Sequence, residues 1–246
     1  MSIASSSSGN AHALDTGREL LLIDCGISPK KITAGLTAIN RRPEEISHIL
    51  ISHCHSDHIG GLFSLLKKYS IHVFGPAPLG PAVKAIGAKF TPLAAGMQQL
   101  NGFRLTAFNV SHDMEPTFGF RMEARGKTIS YANDLGCWDE GVLEGIEGCD
   151  LLVWEANHDE GMLRESSYPE AIKRRIAGPK GHLSNRQSVV GIASLARLPN
   201  KLVVGHLSKE NNSVTRVEDA FSAAHIDKHL ELTVLDPLGG GANVEL

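Results

Sequence analysis

Short apolar runs recur along the chain, and polar segments that contain glycine or proline separate them. Runs of this length between turn residues are typical of β-strands rather than of helices. Nine segments fit the pattern: Leu20–Ile23, Ile46–Ile51, Ile71–Phe74, Leu105–Val110, Phe118–Glu123, Thr128–Ala132, Leu151–Trp154, Leu202–Val204 and Leu230–Leu235. We therefore predict a chain in which strands dominate.

Helical patterns lie between several of these runs. A Ser-Pro pair predicts a helix over Lys30–Ile39, because serine caps a helix and proline suits its first position. Ser184 and Gln187 have the spacing of a capping box, and Val189 and Val190 begin an apolar pattern with helical spacing. The mixed order lacks the strict alternation of a doubly wound sheet and favours an α+β protein with two sheets and outer helices. Without a linker or repeat, we expect one domain over residues 1–246.

Composition sets limits on function. The chain has 246 residues, of which 42% are hydrophobic and 21% charged, as in ordinary globular proteins. A net charge of −3 excludes a global basic field, so binding to a polyanion needs a local patch or a metal. The four cysteines form no C-x-x-C pair, and neither a secretory pattern nor a membrane-spanning apolar stretch is present. We expect a cytoplasmic protein with reduced thiols and no membrane association; its oligomeric state stays open.

Candidate chemistry is concentrated after the second apolar run, in the segment His53-Cys-His55-Ser-Asp57-His58. Imidazole and carboxylate groups at this density are typical of metal ligands. Further candidates follow later runs: His112, Asp134 and His206. Seven such residues are too many to bind one ion with tetrahedral geometry.

The motif H-x-H-x-D-H, followed in order by His, Asp and His, resembles the metallo-β-lactamase superfold over nearly the whole chain. This resemblance implies a four-layer αββα sandwich with a dinuclear site. It implies that His53, His55 and His112 hold one metal, that Asp57, His58 and His206 hold the other, and that Asp134 bridges them. It also implies that Asp24 supports the ligand loop by hydrogen bonding, although Asp24 could be a simple turn residue. His and Asp ligands suit Zn²⁺ or Mn²⁺.

Five further segments resemble the YycJ/WalJ group: Ser-Ser-Gly-Asn10, Ser-His-Asp113, Glu155-Ala-Asn-His-Asp159, Gly-His182-Leu-Ser-Asn185 and His206-Leu-Ser-Lys-Glu-Asn-Asn212. Members of this group are linked to 5′-to-3′ DNA exonuclease activity. Asn133 and Cys54 depart from the Thr and Glu expected in the group. On this resemblance, we expect the residues from Ser7 to Asn10 to form part of the first strand.

Two motifs are similar to those of the RNase Z branch. Trp-Glu155-Ala resembles its strand-end Glu-Ala, and Gly-His182 before a helix resembles its Gly-His. These motifs imply that Glu155 and His182 form a catalytic pair beside the metals. Asp57, a ligand candidate, is expected to be the third catalytic residue. The alternatives are a strand terminus for Glu155 and an ordinary residue before a helix cap for His182.

The superfold hosts several chemistries, so the site must decide among them. Two divalent ions, two carboxylates and a hydroxide leave a small positive charge, which suits a phosphodiester. The 71 residues between Asp134 and His206 leave no room for an inserted β-CASP domain, and about 40 residues beyond His206 are too few for the substrate domain of glyoxalase II. These lengths favour a compact phosphodiesterase.

Basic residues could contact nucleic-acid phosphates, although such a run is also typical of a solvated surface: Lys173, Arg174, Arg175, Lys180 and Lys209. Our hypothesis is a dinuclear phosphodiesterase that cleaves nucleic acid, in particular DNA from an end. One alternative is a small-molecule phosphodiesterase that acts on cyclic phosphates or nucleotides. The other is a metal-bearing binding or regulatory module with little turnover.

Overall fold

The computed structural model describes residues 1–100, 102–226, 230–239 and 241–246. Its contacts divide the chain into two compact units. The amino-terminal unit comprises Met1–Ala94 and Gly240–Glu245, and the carboxy-terminal unit comprises Ala95–Gly239 and Leu246. The expected single domain over residues 1–246 stays a prediction. Across the described ranges, none of the helices combines the length and the apolar character needed to cross a membrane.

The amino-terminal unit contains a six-stranded sheet in the order β1-β2-β3-β4-β5-β6. The strands are β1 (Ser2–Ala4), β2 (Ala11–Asp15), β3 (Leu20–Ile23), β4 (Ile46–Leu50), β5 (His72–Gly75) and β6 (Phe90–Pro92). The helices are α1 (Pro29–Ala38), α2 (Ser56–Ile59), α3 (Leu62–Leu66) and α4 (Gly80–Ala85), with 3₁₀ turns at Pro43–Glu45 and Ala77–Leu79. Strands β3 to β6 are parallel, and the alternate residues Leu20 and Leu22 of β3 pack in one core with Ile32 and Leu36 of α1.

The carboxy-terminal unit contains a seven-stranded sheet in the order β13-β12-β11-β10-β9-β8-β7. The strands are β7 (Gly96–Leu100), β8 (Phe103–Asn109), β9 (Phe118–Ala124), β10 (Lys127–Ala132), β11 (Leu151–Glu155), β12 (Lys201–Gly205) and β13 (Glu231–Val234). The helices are α5 (Glu140–Ile146), α6 (Glu160–Glu165), α7 (Glu170–Ile176), α8 (Asn185–Ala193) and α9 (Val214–Ala223). Strands β10 to β13 are parallel.

The register of β10, β11 and β12 determines where candidate functional residues lie in this unit. Ala132 pairs with Trp154, and Glu155 pairs with Gly205. The carboxyl ends of these three parallel strands therefore meet at one edge of the sheet, the edge at which open sheets place their ligands. Residues that follow each strand are brought together there.

All nine predicted strands are confirmed, with ends that shift by a few residues. The capping box of Ser184 and Gln187 is also confirmed, since each side chain accepts a hydrogen bond from the backbone N–H of the other residue. Val190, in contrast, is 44% exposed, because it lies next to the buried Val189 and points away from the apolar face of α8. The expectation that Ser7 to Asn10 belong to a strand is wrong. These residues form the connection between β1 and β2, where Gly9 has a φ of 155° that L-residues rarely adopt.

Candidate metal centre

In the amino-terminal unit, the candidate ligands lie on the loop after β4 and in the first turn of α2. His53 Nε2 is 3.1 Å from His55 Nδ1, and Asp57 Oδ2 is 3.5 Å from His58 Nε2. Donors at about 2.0–2.2 Å from one tetrahedral ion lie roughly 3.4 Å apart. The loop thus presents its four candidates as two donor pairs.

Asp24 supports this loop from the end of β3. Its carboxylate accepts hydrogen bonds from the backbone N–H and the hydroxyl of Ser52, and its Oδ2 is 2.8 Å from His58 Nδ1. Because Asp24 engages Nδ1, the ring presents Nε2 as the ligand atom, which is the usual function of a carboxylate behind a metal-bound histidine. These are the contacts that the predicted supporting role requires.

Asn10 also contacts this loop, although the sequence pattern indicates no function for it. Its backbone N–H donates to the carbonyl of Asp57 at 2.8 Å, and its side-chain Nδ2 lies 3.0 Å from His58 Nε2. Gly26 approaches the same carbonyl so closely that a Cβ would lie 1.6 Å from it. The Ser-Ser-Gly-Asn motif drew attention to Asn10. Its contacts could not be predicted, because they involve residues far away in the chain.

In the carboxy-terminal unit, Asp134 is surrounded by three candidate histidines. Its Oδ1 lies 3.5 Å from His206 Nε2, 3.6 Å from His182 Nδ1 and 3.8 Å from His112 Nε2. Asp134 and His206 both have a φ of 56°, in the left-handed region that most residues avoid. Such conformations persist where the surrounding structure enforces them, often at functional sites.

Glu155, at the end of β11, joins two of these histidines. Its Oε1 lies 2.7 Å from His182 Nδ1 and 2.8 Å from His206 Nδ1, while its Oε2 accepts the backbone N–H of Leu135 at 2.9 Å. Burial by itself raises the pKa of Glu155, but the charges and hydrogen bonds of His182 and His206 outweigh it and lower the pKa below its usual value. Glu155 is therefore an ionised acceptor that supports both rings, whereas the sequence motif indicated a pair with His182 alone.

The His182 loop also orients His112. His112 Nδ1 is 3.2 Å from the carbonyl of Gly181, so this nitrogen is the donor and Nε2 faces Asp134. Burial lowers the pKa of His112, which keeps the ring neutral near pH 7. Neutral imidazole is the form that binds a metal.

The donor set of each unit fits a divalent metal ion. In the carboxy-terminal unit, the donors are Asp134 Oδ1 and the Nε2 atoms of His206 and His112, which lie 3.5 and 3.8 Å from it. The Nδ1 atoms of His58 and His206 each face a buried carboxylate, which leaves the Nε2 atoms for metal. Nitrogen and carboxylate donors of this kind suit Zn²⁺ and Mn²⁺.

Most of the predicted phosphate-binding residues have partners within the protein. Arg175 pairs with Asp113 at 2.5 Å, Lys180 pairs with Glu115 at 2.5 Å, and Lys173 donates to the carbonyl of Arg164 at 2.7 Å. Within the described ranges, Arg174 and Lys209 are exposed and form no ion pair. A contact between these five residues and substrate stays a prediction.

Comparison with known proteins identifies the family. Residues 20–207 match the model of the β-lactamase superfamily domain. The exodeoxyribonuclease WalJ of Streptococcus pneumoniae is 35% identical over 221 residues, which cover 85% of this chain and 81% of that protein. The exodeoxyribonuclease YycJ of Bacillus anthracis is 30% identical over 217 residues, with coverages of 85% and 82%.

A solved structure shows the fold. The metallo-β-lactamase fold protein YhfI of Bacillus subtilis superimposes with a TM-score of 0.72 at 16% identity, over 96% of this chain and 95% of that one. The predicted α+β fold of the metallo-β-lactamase type is therefore confirmed. Given its fold, its relatives and its donor sets, the chain belongs to the β-lactamase superfamily of metal-dependent hydrolases, in the family of the WalJ and YycJ exodeoxyribonucleases.

Proposed function

We propose that this protein is a two-metal phosphodiesterase that degrades DNA from an end, with the 5′-to-3′ direction that the resemblance implies. The observation that carries the proposal is the position of Glu155 between His182 and His206. This arrangement gives one carboxylate two functions, since it orients a metal ligand and a proton donor together. The relatives named as exodeoxyribonucleases support DNA as the substrate class.

The proposed ligand sets are those that the resemblance implies. His53, His55 and His112 hold one ion, Asp57, His58 and His206 hold the other, and Asp134 is shared, within a chain that acts as one domain. Support comes from the donor pairs of the amino-terminal unit and from the three histidines around Asp134. When bound, two divalent ions supply a hydroxide at neutral pH and neutralise charge on the phosphoryl oxygens.

His182 is the proposed general acid. Its Nδ1 is engaged by Glu155, so its Nε2 is the atom that can give a proton to the departing oxygen. The side chain is 17% exposed, whereas that of His206 is 1% exposed, so a substrate can reach His182. An ionised Glu155 accepts from His182 Nδ1 and so fixes the orientation of the ring.

A small-molecule phosphodiesterase is the second candidate function. The observation that favours it is the pairing of Arg175 and Lys180 with carboxylates, which reduces the basic surface available to a nucleic-acid backbone. A nuclease needs positive charge along its substrate path more than an enzyme for cyclic phosphates or nucleotides does.

Incubation of the metal-loaded protein with several substrates distinguishes these functions. The panel is linear duplex DNA labelled at either 5′ or 3′ end, linear and circular single-stranded DNA, RNA, and bis(p-nitrophenyl) phosphate. The proposal predicts cleavage of linear DNA, release of the 5′ label first, and resistance of circular DNA. Cleavage of bis(p-nitrophenyl) phosphate alone would favour the small-molecule enzyme, and cleavage of no substrate would favour a binding module. His225→Ala, a change outside the candidate site, is the matched control for variants of the site histidines.

A further inference from the structure

His206 adopts a backbone conformation that few non-glycine residues adopt. Its φ of 56° lies in the left-handed region, where a non-glycine residue needs support from its surroundings. The side chain is oriented by Glu155, but that contact does not hold the backbone. The carbonyl of His206 accepts a hydrogen bond of 2.9 Å from Nδ2 of Asn157, a buried residue two positions after the end of β11.

Asn157 also contacts the segment that contains His182. Its backbone N–H donates to the carbonyl of Leu183, the residue after His182, at 2.9 Å. Its own carbonyl accepts the N–H of Ser208 at 2.8 Å. Asn157 is therefore hydrogen-bonded both to the loop that contains His182 and to His206 and Ser208.

Two further buried asparagines hold the strand end that precedes Asn157. Asn212 Nδ2 donates to the carbonyl of Ala156 at 2.9 Å, and the side chains of Asn185 and Asn212 form reciprocal hydrogen bonds of 3.0 and 2.8 Å. Burial of an amide is unfavourable unless it is hydrogen-bonded, so these contacts specify one arrangement of the three segments. The motifs Glu-Ala-Asn157, Leu-Ser-Asn185 and Asn-Asn212 meet here.

We infer that Asn157 is a positioning residue that fixes His206 as a metal ligand and sets its position relative to His182. The inference rests on the proposed metal centre and adds a residue that touches neither metal nor substrate. Groups behind metal ligands typically change metal affinity by about 10- to 100-fold when they are removed. Loss of the Asn157 amide should have an effect of this size on the ion held by His206.

The test measures metal binding directly, by competition between the protein and a chromophoric chelator for Zn²⁺. The Asn157→Ala variant should bind one of its two ions about 10- to 100-fold more weakly than the wild type does. Asn211→Ala is the matched control, because Asn211 is a buried asparagine on the loop after His206, and no hydrogen bond of its side-chain amide is found within the described residues. That variant should keep the wild-type affinity.

Turnover of bis(p-nitrophenyl) phosphate separates positioning from general destabilisation. Excess Zn²⁺ should restore the activity of Asn157→Ala, because the ligand is misplaced but present. Asn157→Asp nearly preserves the size of the side chain and removes the donor, so it serves if the alanine variant does not fold. Equal metal affinity of the Asn157 variants and Asn211→Ala would overturn the inference. A wild-type protein that binds no metal would overturn the proposed centre itself.

Discussion

The two units present their candidate ligands in different ways. In the amino-terminal unit, four candidates lie within six residues, and the group that orients His53, the hydroxyl of Ser52, is its neighbour in the sequence. In the carboxy-terminal unit, the candidates follow different strands, and the groups that orient them come from distant segments. His206 depends on Glu155, which lies 51 residues away, and His112 depends on Gly181, which lies 69 residues away.

This difference has a consequence for sensitivity to mutation. The first set lies on one short loop, which Asp24 and Asn10 support from 34 and 47 residues away. The second set depends on the register of three parallel strands and on buried side chains between them. We therefore expect a larger number of residues that are not ligands to affect the carboxy-terminal set, although the effect of each should be similar in the two units.

The largest effect is expected from His206→Ala. The proposed ligand sets predict that this variant loses one of two metal equivalents and fails on both DNA and bis(p-nitrophenyl) phosphate. The loss of turnover should exceed the roughly 10- to 100-fold typical of groups behind the ligands. Elemental analysis and both assays measure it, with His225→Ala as control. Two retained equivalents would remove His206 from the ligand set.

The buried carboxylates of the two units allow a direct comparison. Asp24→Asn should weaken metal binding by about 10- to 100-fold, because it disturbs the support of His58. Glu155→Gln should weaken binding similarly and also lower turnover of DNA more than that of bis(p-nitrophenyl) phosphate, since Glu155 also supports His182.

The functions of these two carboxylates can be distinguished at saturating metal. The measurement is the ratio of DNA turnover to bis(p-nitrophenyl) phosphate turnover. Asp24→Asn should leave the ratio at its wild-type value, and Glu155→Gln should lower it. The same ratio for both variants would mean that Glu155 supports the metal ligand alone.

Salt dependence distinguishes the basic residues of the α7 region. If Arg174 contacts a phosphate, Arg174→Ala should reduce the slope of log affinity for DNA against log salt by about 1. Arg175 is bonded to Asp113, so Arg175→Ala should change the slope less and reduce turnover of both substrates alike. An unchanged slope for Arg174→Ala would show that its side chain is only solvated.

The smallest effect is expected at an ion pair of the amino-terminal unit. Hydrogen bonds from Arg41 lower the pKa of Asp15 below its usual value, so this carboxylate stabilises the fold above its ordinary pKa and loses that effect as pH falls. Asp15→Asn should lower the free energy of unfolding by less than about 1 kcal/mol at pH 7, because the pair is partly exposed.

Urea denaturation at several pH values measures this difference. It should narrow as pH decreases from about 4, the ordinary pKa of an aspartate, and disappear below the lowered pKa of Asp15 in the folded protein, where that carboxylate becomes protonated. Asp219→Asn, on the exposed face of α9, is the control. A difference that stays constant with pH would show that the ion pair does not stabilise the protein.

The parts of the fold and site that could be predicted are those that depend on residues close together in the sequence. Long strands such as β8 and β9 show clear apolar runs, whereas β1, β6 and β7 are short or exposed and lack such a signal. The ligand loop could be identified because its residues are contiguous. The later candidates could be proposed from their order after strands.

Other features could not be predicted, because they arise from packing between distant segments. The second contact of Glu155, the support of His206 by Asn157 and the pairing of Arg175 with Asp113 all join residues far apart in sequence. The left-handed conformations of Asp24, Asp134 and His206 are likewise invisible in a pattern of apolar and polar residues. Pairing of side chains and backbone strain become visible only once the chain is folded.

The proton-donor function of His182 is the central claim and can be measured directly. In His182→Ala, turnover of DNA should fall by about 10²- to 10⁴-fold, because an alkoxide leaves poorly without a proton. Turnover of bis(p-nitrophenyl) phosphate should fall much less, since p-nitrophenolate needs no proton, and both metal equivalents should be retained. An equal loss on the two substrates, or loss of a metal, would contradict the account and place His182 in phosphate binding or among the ligands.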